Sequence, residues 1–120
     1  MLPPPSSLLE KKCSPQTVAL GTHAVYGYLD ELTGWSLEEP HKQRITKHFD
    51  FKNYYKTLAF INAIAYVIHA EDHHPELTVT YNQCLVAFNT HSVNDGKGGL
   101  SENDFICAAK VDAIFQQSFS

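Results

Sequence analysis

Residues 51–72 read FKNYYKTLAFINAIAYVIHAED, the longest stretch of this chain with a helical period. Tyr54, Leu58, Ile61, Ala65 and Ile68 recur at 4-3-4-3 spacing, and Phe60, Ile64 and Val67 form a second apolar stripe beside them. Recurrence at three and four residues sets side chains on one face of a helix. The pattern predicts a helix from about Phe51 to Asp72, capped at its start by Asp50. Two stripes are more than one sheet face needs. One is expected to pack on a sheet. The second, Phe60, Ile64 and Val67, is then available to another copy of the chain, as a dimer or tetramer, or to a partner helix. The alternative is a single, wider core contact.

The neighbouring segments supply that sheet. RITKHFDF (44–51) alternates, with Ile45, Phe49 and Phe51 on one face and Arg44, Thr46, His48 and Asp50 on the other, the period of a half-buried strand. Before it, Trp35 to Leu37 can open a short strand, followed by the polar connection EEPHKQ (38–43). Thr22 is a plausible N-cap for a helix carrying Val25, Leu29 and Leu32, weakened by Gly27 and ended by Thr33-Gly34. Downstream, Pro75 stops the long helix, because the residue before a proline is pushed out of helical geometry. Leu77, Val79 and Tyr81 alternate, Asn82-Gln83 reads as a tight turn, and Cys84, Val86 and Phe88 alternate in return, which makes a hairpin. After a glycine-rich loop, NDGKGG (94–99), Ser101 and Asp104 have capping-box spacing for a last helix burying Cys107, Ala108, Val111, Ile114 and Phe115. The order α-β-β-α-β-β-α implies one α+β domain, a four-stranded antiparallel sheet with three helices on one face. It occupies residues 22–120, and residues 1–21, rich in proline and serine at their start, read as a flexible N-terminal extension.

Composition narrows the function. At 120 residues and 43% hydrophobic, the chain suits one compact domain with a core of ordinary size. No apolar run approaches the ~20 residues of a membrane span, and MLPPPSSLLEKK lacks the apolar block of a secretion signal. The net charge is −4, with no basic cluster beyond Lys11-Lys12, so direct nucleic-acid binding has no electrostatic footprint. Cys13, Cys84 and Cys107 are odd in number and widely spaced, as expected of reduced thiols in a cytoplasmic protein.

Chemistry concentrates at the end of the long helix, in HAEDHHPE (69–76). His69 and His73 lie four apart and could converge on a metal, with His74 and His91 as further ligands. Against this, Ala70 stands where the zincin pattern needs glutamate, and the adjacent rings of His73 and His74 leave a helix end in different directions. Imidazole, with a pKa near ~6.5, suits proton transfer better. His91 follows the strand expected to pair with the one after Pro75, so a helix end and a strand end can bring His73, His74 and His91 to one pocket. Glu71 and Asp72 read as a solvated last turn. No serine or cysteine carries a nucleophile elbow, and NDGKGG lacks P-loop spacing.

The spacing of these residues resembles the pterin-4a-carbinolamine dehydratase family. That family's pattern is an acidic residue, lysine or histidine, three residues, His-His-Pro, five or six residues, an aromatic, nine residues, a histidine, a spacer and an aspartate. The matching positions are His69, His73, His74, Pro75, Tyr81, His91 and Asp104, with Gly34-Trp35 and Phe49-x-Phe51-Lys52 agreeing outside the core. The resemblance spans about Thr22 to Phe115. It departs at His69, where animal members usually have glutamate, and in the longer spacer after His91. The resemblance implies a 4a-hydroxytetrahydropterin substrate, dehydrated to quinonoid dihydropterin in tetrahydrobiopterin recycling, with no metal or redox cofactor. His73, His74 and His91 are then the acid–base residues, with His69, Pro75, Tyr81, Trp35 and Asp104 around the substrate. In animals the family doubles as a dimerisation cofactor of a homeodomain transcription factor. That adds a non-catalytic binding role and a nuclear location to the expectations.

Overall fold

The computed structural model describes residues 7–38 and 43–119, with side chains from Leu8 onward. Residues 1–6 of the expected extension and most of the EEPHKQ connection lie outside them. The elements run α1 (Ser7–Glu10), α2 (Thr22–Asp30), β1 (Ser36–Leu37), β2 (Ile45–Asp50), α3 (Tyr54–Glu71), β3 (Glu76–Val79), β4 (Gln83–Phe88) and α4 (Glu102–Ser118), with a 3-10 turn at Asn94–Gly96. The four strands form one antiparallel sheet in the order β1-β2-β4-β3. This is the expected α+β domain with one helix more, the short α1.

Register explains which face is covered. Ile45 stands opposite Phe88, Lys47 opposite Val86 and Phe49 opposite Cys84, so these residues share one side of the sheet. All but Lys47, whose ammonium pairs with Asp112, join Phe60, Ile64, Phe105, Ile106 and Val111 from α3 and α4 in a single core. Burying each such side chain contributes about 1.5–3 kcal/mol. The opposite side carries Thr46, His48, Asp50 and Gln83, the polar half of the same alternation.

Helix α3 corrects two expectations. It begins at Tyr54, not Phe51, because Asn53 is the cap: its side-chain oxygen accepts the Lys56 N–H at 2.9 Å, while Asp50 remains in β2. The buried stripe is Thr57, Phe60, Ile64 and Val67, so the stripe expected to meet a partner faces the core instead. Tyr54, Leu58 and Ala65, from the stripe first assigned to the sheet, are exposed along with Tyr55 and Tyr66. Smaller differences follow the same local logic. Gly21, not Thr22, is the cap of α2, and the hairpin turn falls at residues 80–82, with Gln83 already in β4.

Residues 7–20, expected as loose extension, pack on the domain. Leu8 is wholly buried, and the Lys110 ammonium donates to the Leu9 carbonyl. The Lys11 ammonium pairs with the Glu102 carboxylate at 2.8 Å, and the Leu20 N–H donates to the Leu100 carbonyl. Between these ties, residues 11–20 cross α4 as an irregular strap. Apolar anchoring at Leu8 and backbone hydrogen bonds offset the entropy of ordering a segment without its own secondary structure.

Candidate active site

Helix α3 ends where Asp72 takes the left-handed conformation, φ 49° and ψ 43°, with its N–H donating to the His69 carbonyl. Asparagine and aspartate tolerate this region better than most residues. The chain turns sharply there and enters β3 through His73, His74 and Pro75, and the two imidazoles part company.

The His73 side chain is 11% exposed, and its ring stacks on Phe88 at 5.9 Å. Its Nε2 lies 2.6 Å from Oδ1 of Asp104, which is wholly buried. The other oxygen, Oδ2, accepts the Thr90 hydroxyl at 2.8 Å and the Ser101 N–H at 2.9 Å. Thr90 and Ser101 hydroxyls are 2.6 Å apart. Thr90 gives its one hydrogen to Asp104, so Ser101 must donate to Thr90; its oxygen in turn accepts the Asn103 N–H. The two hydroxyl hydrogens thus have one assignment each. The capping box that starts α4 is present as expected, and its Asp104 also orients His73. With Asp104 accepting, Nε2 carries the hydrogen and Nδ1 is left for chemistry.

His74 is different: its Nε2 lies 3.4 Å from the Asp72 carboxylate, with both side chains mostly exposed. Such a pair contributes little. His91 is also exposed, but its backbone is fixed by its neighbour. Thr90 is bridged to Gly99 by two backbone hydrogen bonds and tied to Asp104 through its hydroxyl. His73, His74 and His91 line one cleft of about 470 Å³, a volume suited to a small bicyclic ligand.

Not every expected residue is there. Trp35 is buried in the core against Phe49 and Phe88, its indole N–H donating to Asp112 at 3.0 Å. Tyr81 is exposed and stacks on Tyr54 at 6.4 Å. Neither they nor His69 and Pro75 line the cleft, and Asp104, expected beside the substrate, lies wholly buried behind His73. The site instead includes residues not expected in it. Glu71, read as solvated, has a side chain only 7% exposed, and it lines the cleft while accepting the Cys13 N–H at 2.7 Å. The strap adds Cys13, Ser14, Pro15 and Gln16 to the wall. Asn103 clips it twice, accepting the Ser14 N–H at 3.1 Å and donating to the Ser14 carbonyl at 2.8 Å, and the Ser92 hydroxyl donates to the Gln16 carbonyl. Among the described residues, no three His, Cys, Asp or Glu side chains group closely enough to hold a metal ion.

A family model described as pterin 4 alpha carbinolamine dehydratase matches residues 18–114. The chain belongs to that family. Its class of activity is that of a hydro-lyase. A relative from Bdellovibrio bacteriovorus, named for pterin-4-alpha-carbinolamine dehydratase, is 56% identical over 96% of this chain and 93% of its own length. One from Nitrosospira multiformis with the same name is 47% identical over 91% of this chain and 93% of its own. A solved structure of a transcriptional coactivator/pterin dehydratase from Brucella melitensis superposes with a TM-score of 0.72 at 31% identity. It covers 80% of this chain and 97% of the Brucella protein. The helix-sheet arrangement described above is therefore the dehydratase fold.

Proposed function

We propose that this chain dehydrates a 4a-hydroxytetrahydropterin to quinonoid dihydropterin and water, as a step of tetrahydrobiopterin recycling. The observation that carries the reading is the cleft in which three imidazoles meet, one of them fixed by a buried aspartate. The C4a–O bond breaks as a proton reaches the leaving oxygen, the proton on N5 departs, and C4a and N5 become doubly bonded. One acid and one base are needed, and no electrons are transferred. His73, with its Nε2–H kept on Asp104 and the proton it gives carried on Nδ1, and His74 serve the leaving oxygen. His91 serves the N5 proton. Burial and a fixed partner suit His73 to repeated, oriented proton transfer.

The test is loss of 4a-hydroxypterin absorbance in the presence of the protein. Turnover in His73→Ala should fall roughly 10²-fold or more, the usual scale of a general acid–base group. Unchanged turnover in the alanine variants of all three histidines would sink the reading.

A second reading, self-association in a binding role, draws on the α3 surface. Tyr55 is 81% exposed and Tyr66 78%, with Tyr54 and Leu58 beside them. Exposed aromatic side chains spaced along one helix are a surface that a second copy of the chain could cover. Tyr66→Glu should lower the mass seen by sedimentation equilibrium; an unchanged mass, or a monomeric parent, would remove this reading.

A further inference from the structure

Two cysteines outside the proton-transfer network link the strap to α4. Cys13 is half-buried and lines the cleft. Cys107 is wholly buried on α4, one turn beyond the Asn103 that clips the strap. Their Sγ atoms stand 3.5 Å apart, against about 2.05 Å in a disulfide. Cys13 lies in irregular backbone, so closing that gap breaks no helix or ladder hydrogen bond. The adjoining Cys13 sulfur and burial push the Cys107 thiol far above the usual cysteine range. Cys13 lines the cleft whereas Cys107 is wholly buried, so an oxidant reaches Cys13 first. Cys84, wholly buried in β4 and outside both the cleft lining and the Cys13–Cys107 contact, takes no part.

We propose that Cys13 and Cys107 form a reversible redox modification site, oxidised to a disulfide by small-molecule disulfides. The Cys13 thiolate attacks one sulfur of R–S–S–R, whose S–S bond breaks and releases one thiolate. The Cys107 sulfur then attacks Sγ of the mixed disulfide, and its proton passes to the second departing thiolate. Two protein thiols lose two electrons and two hydrogens while one R–S–S–R becomes two R–SH. The new bond ties the strap covalently to the helix that supplies Asp104. Oxidation therefore resets the cleft wall, a consequence that rests on the dehydratase reading; the cross-link itself does not.

The full reduced chain is incubated with oxidised glutathione, its free thiols titrated in denaturant, and its peptides mapped without reduction. Free thiols should fall from three to one, with a Cys13–Cys107 peptide recovered and dithiothreitol restoring all three. Cys107→Ala should stop at a Cys13–glutathione adduct, and Cys13→Ser should leave Cys107 unmodified. A wild-type chain that loses no thiols, or keeps the Cys13 adduct with Cys107 free, overturns the proposal. Pterin KM measured on the same samples tests the coupling: a shift reversed by dithiothreitol supports it, and an unchanged KM in the cross-linked chain removes it. Thiol counts do not depend on turnover, so even a chain inactive on pterins decides whether the two cysteines pair.

Discussion

On the His73 side of the cleft, Asp104, Thr90 and Ser101 are all buried and hydrogen-bonded to one another. The strap side is tied through backbone groups of Cys13, Ser14 and Gln16, in bonds to Glu71, Asn103 and Ser92 that are half-buried or exposed along the cleft edge. Removing a partner from a wholly buried network leaves groups that water cannot reach, whereas at the edge of an open cleft water can replace part of a lost tie. The cleft thus has one wall that is rigid by necessity and one that is held by choice of sequence. The first suits chemistry, which needs fixed atoms. The second suits adjustment.

The contrast can be broken at several points. Asp104→Ala strands the His73 ring, the Thr90 hydroxyl and the Ser101 N–H together, so unfolding by urea should show a loss of about 3 kcal/mol or more. Asn103→Ala removes both clips on Ser14 and should cost about 2 kcal/mol, one typical hydrogen bond for each clip. In pterin assays it should raise KM several-fold and leave kcat nearly intact. Equal losses in these two variants would mean that the walls do not differ.

The smallest effect concerns the outer fastening of the strap. Hydrogen bonds from Lys11 and Tyr28 hold the Glu102 carboxyl below the usual glutamate range. A depressed acid contributes stability above its unfolded pKa, and that contribution is lost as pH falls through the folded value. Tyr28 is pushed up to about 12, first by its bond to Glu102 and then by burial. Its contribution is complete below pH ~10 and is lost as pH rises toward the folded value. A urea titration across pH should show both limbs, and Tyr28→Phe should flatten the alkaline one at a cost of about 1 kcal/mol.

Much of the fold was readable because its signals are local. The 3.6-residue period of α3, the alternation of β2 and β4, and the Ser101–Asp104 box each specify an element from its own residues. The clustering of His73, His74 and His91 followed from pairing the strand after Pro75 with the one before His91. What failed was the choice between stripes of α3, since both are apolar and only the partner surface decides. One cue went unused. Continuing Phe60, Ile64 and Val67 by four residues reaches Glu71, so the buried stripe itself points to a carboxylate at the cleft. Trp35 and Tyr81 were assigned by resemblance, and nothing in their spacing says which side of the sheet or hairpin they occupy. The strap was unreadable for another reason: its partners, Glu71 and Asn103, lie 58 and 89 residues away.

Those separations have a consequence for how the molecule is made. Residue 13 leaves the ribosome 58 positions ahead of Glu71 and 94 ahead of Cys107, and Asp104 follows His73 by 31. Contacts so distant in sequence require large loops to close before they are rewarded. A nascent chain that has completed the hairpin already owns all three cleft imidazoles except the last, His91, which follows within three residues of β4. It still lacks the acceptor that fixes His73 and the helix that receives the strap. The cleft has no finished form until α4 is synthesised and docked. The strap is made first and seated last.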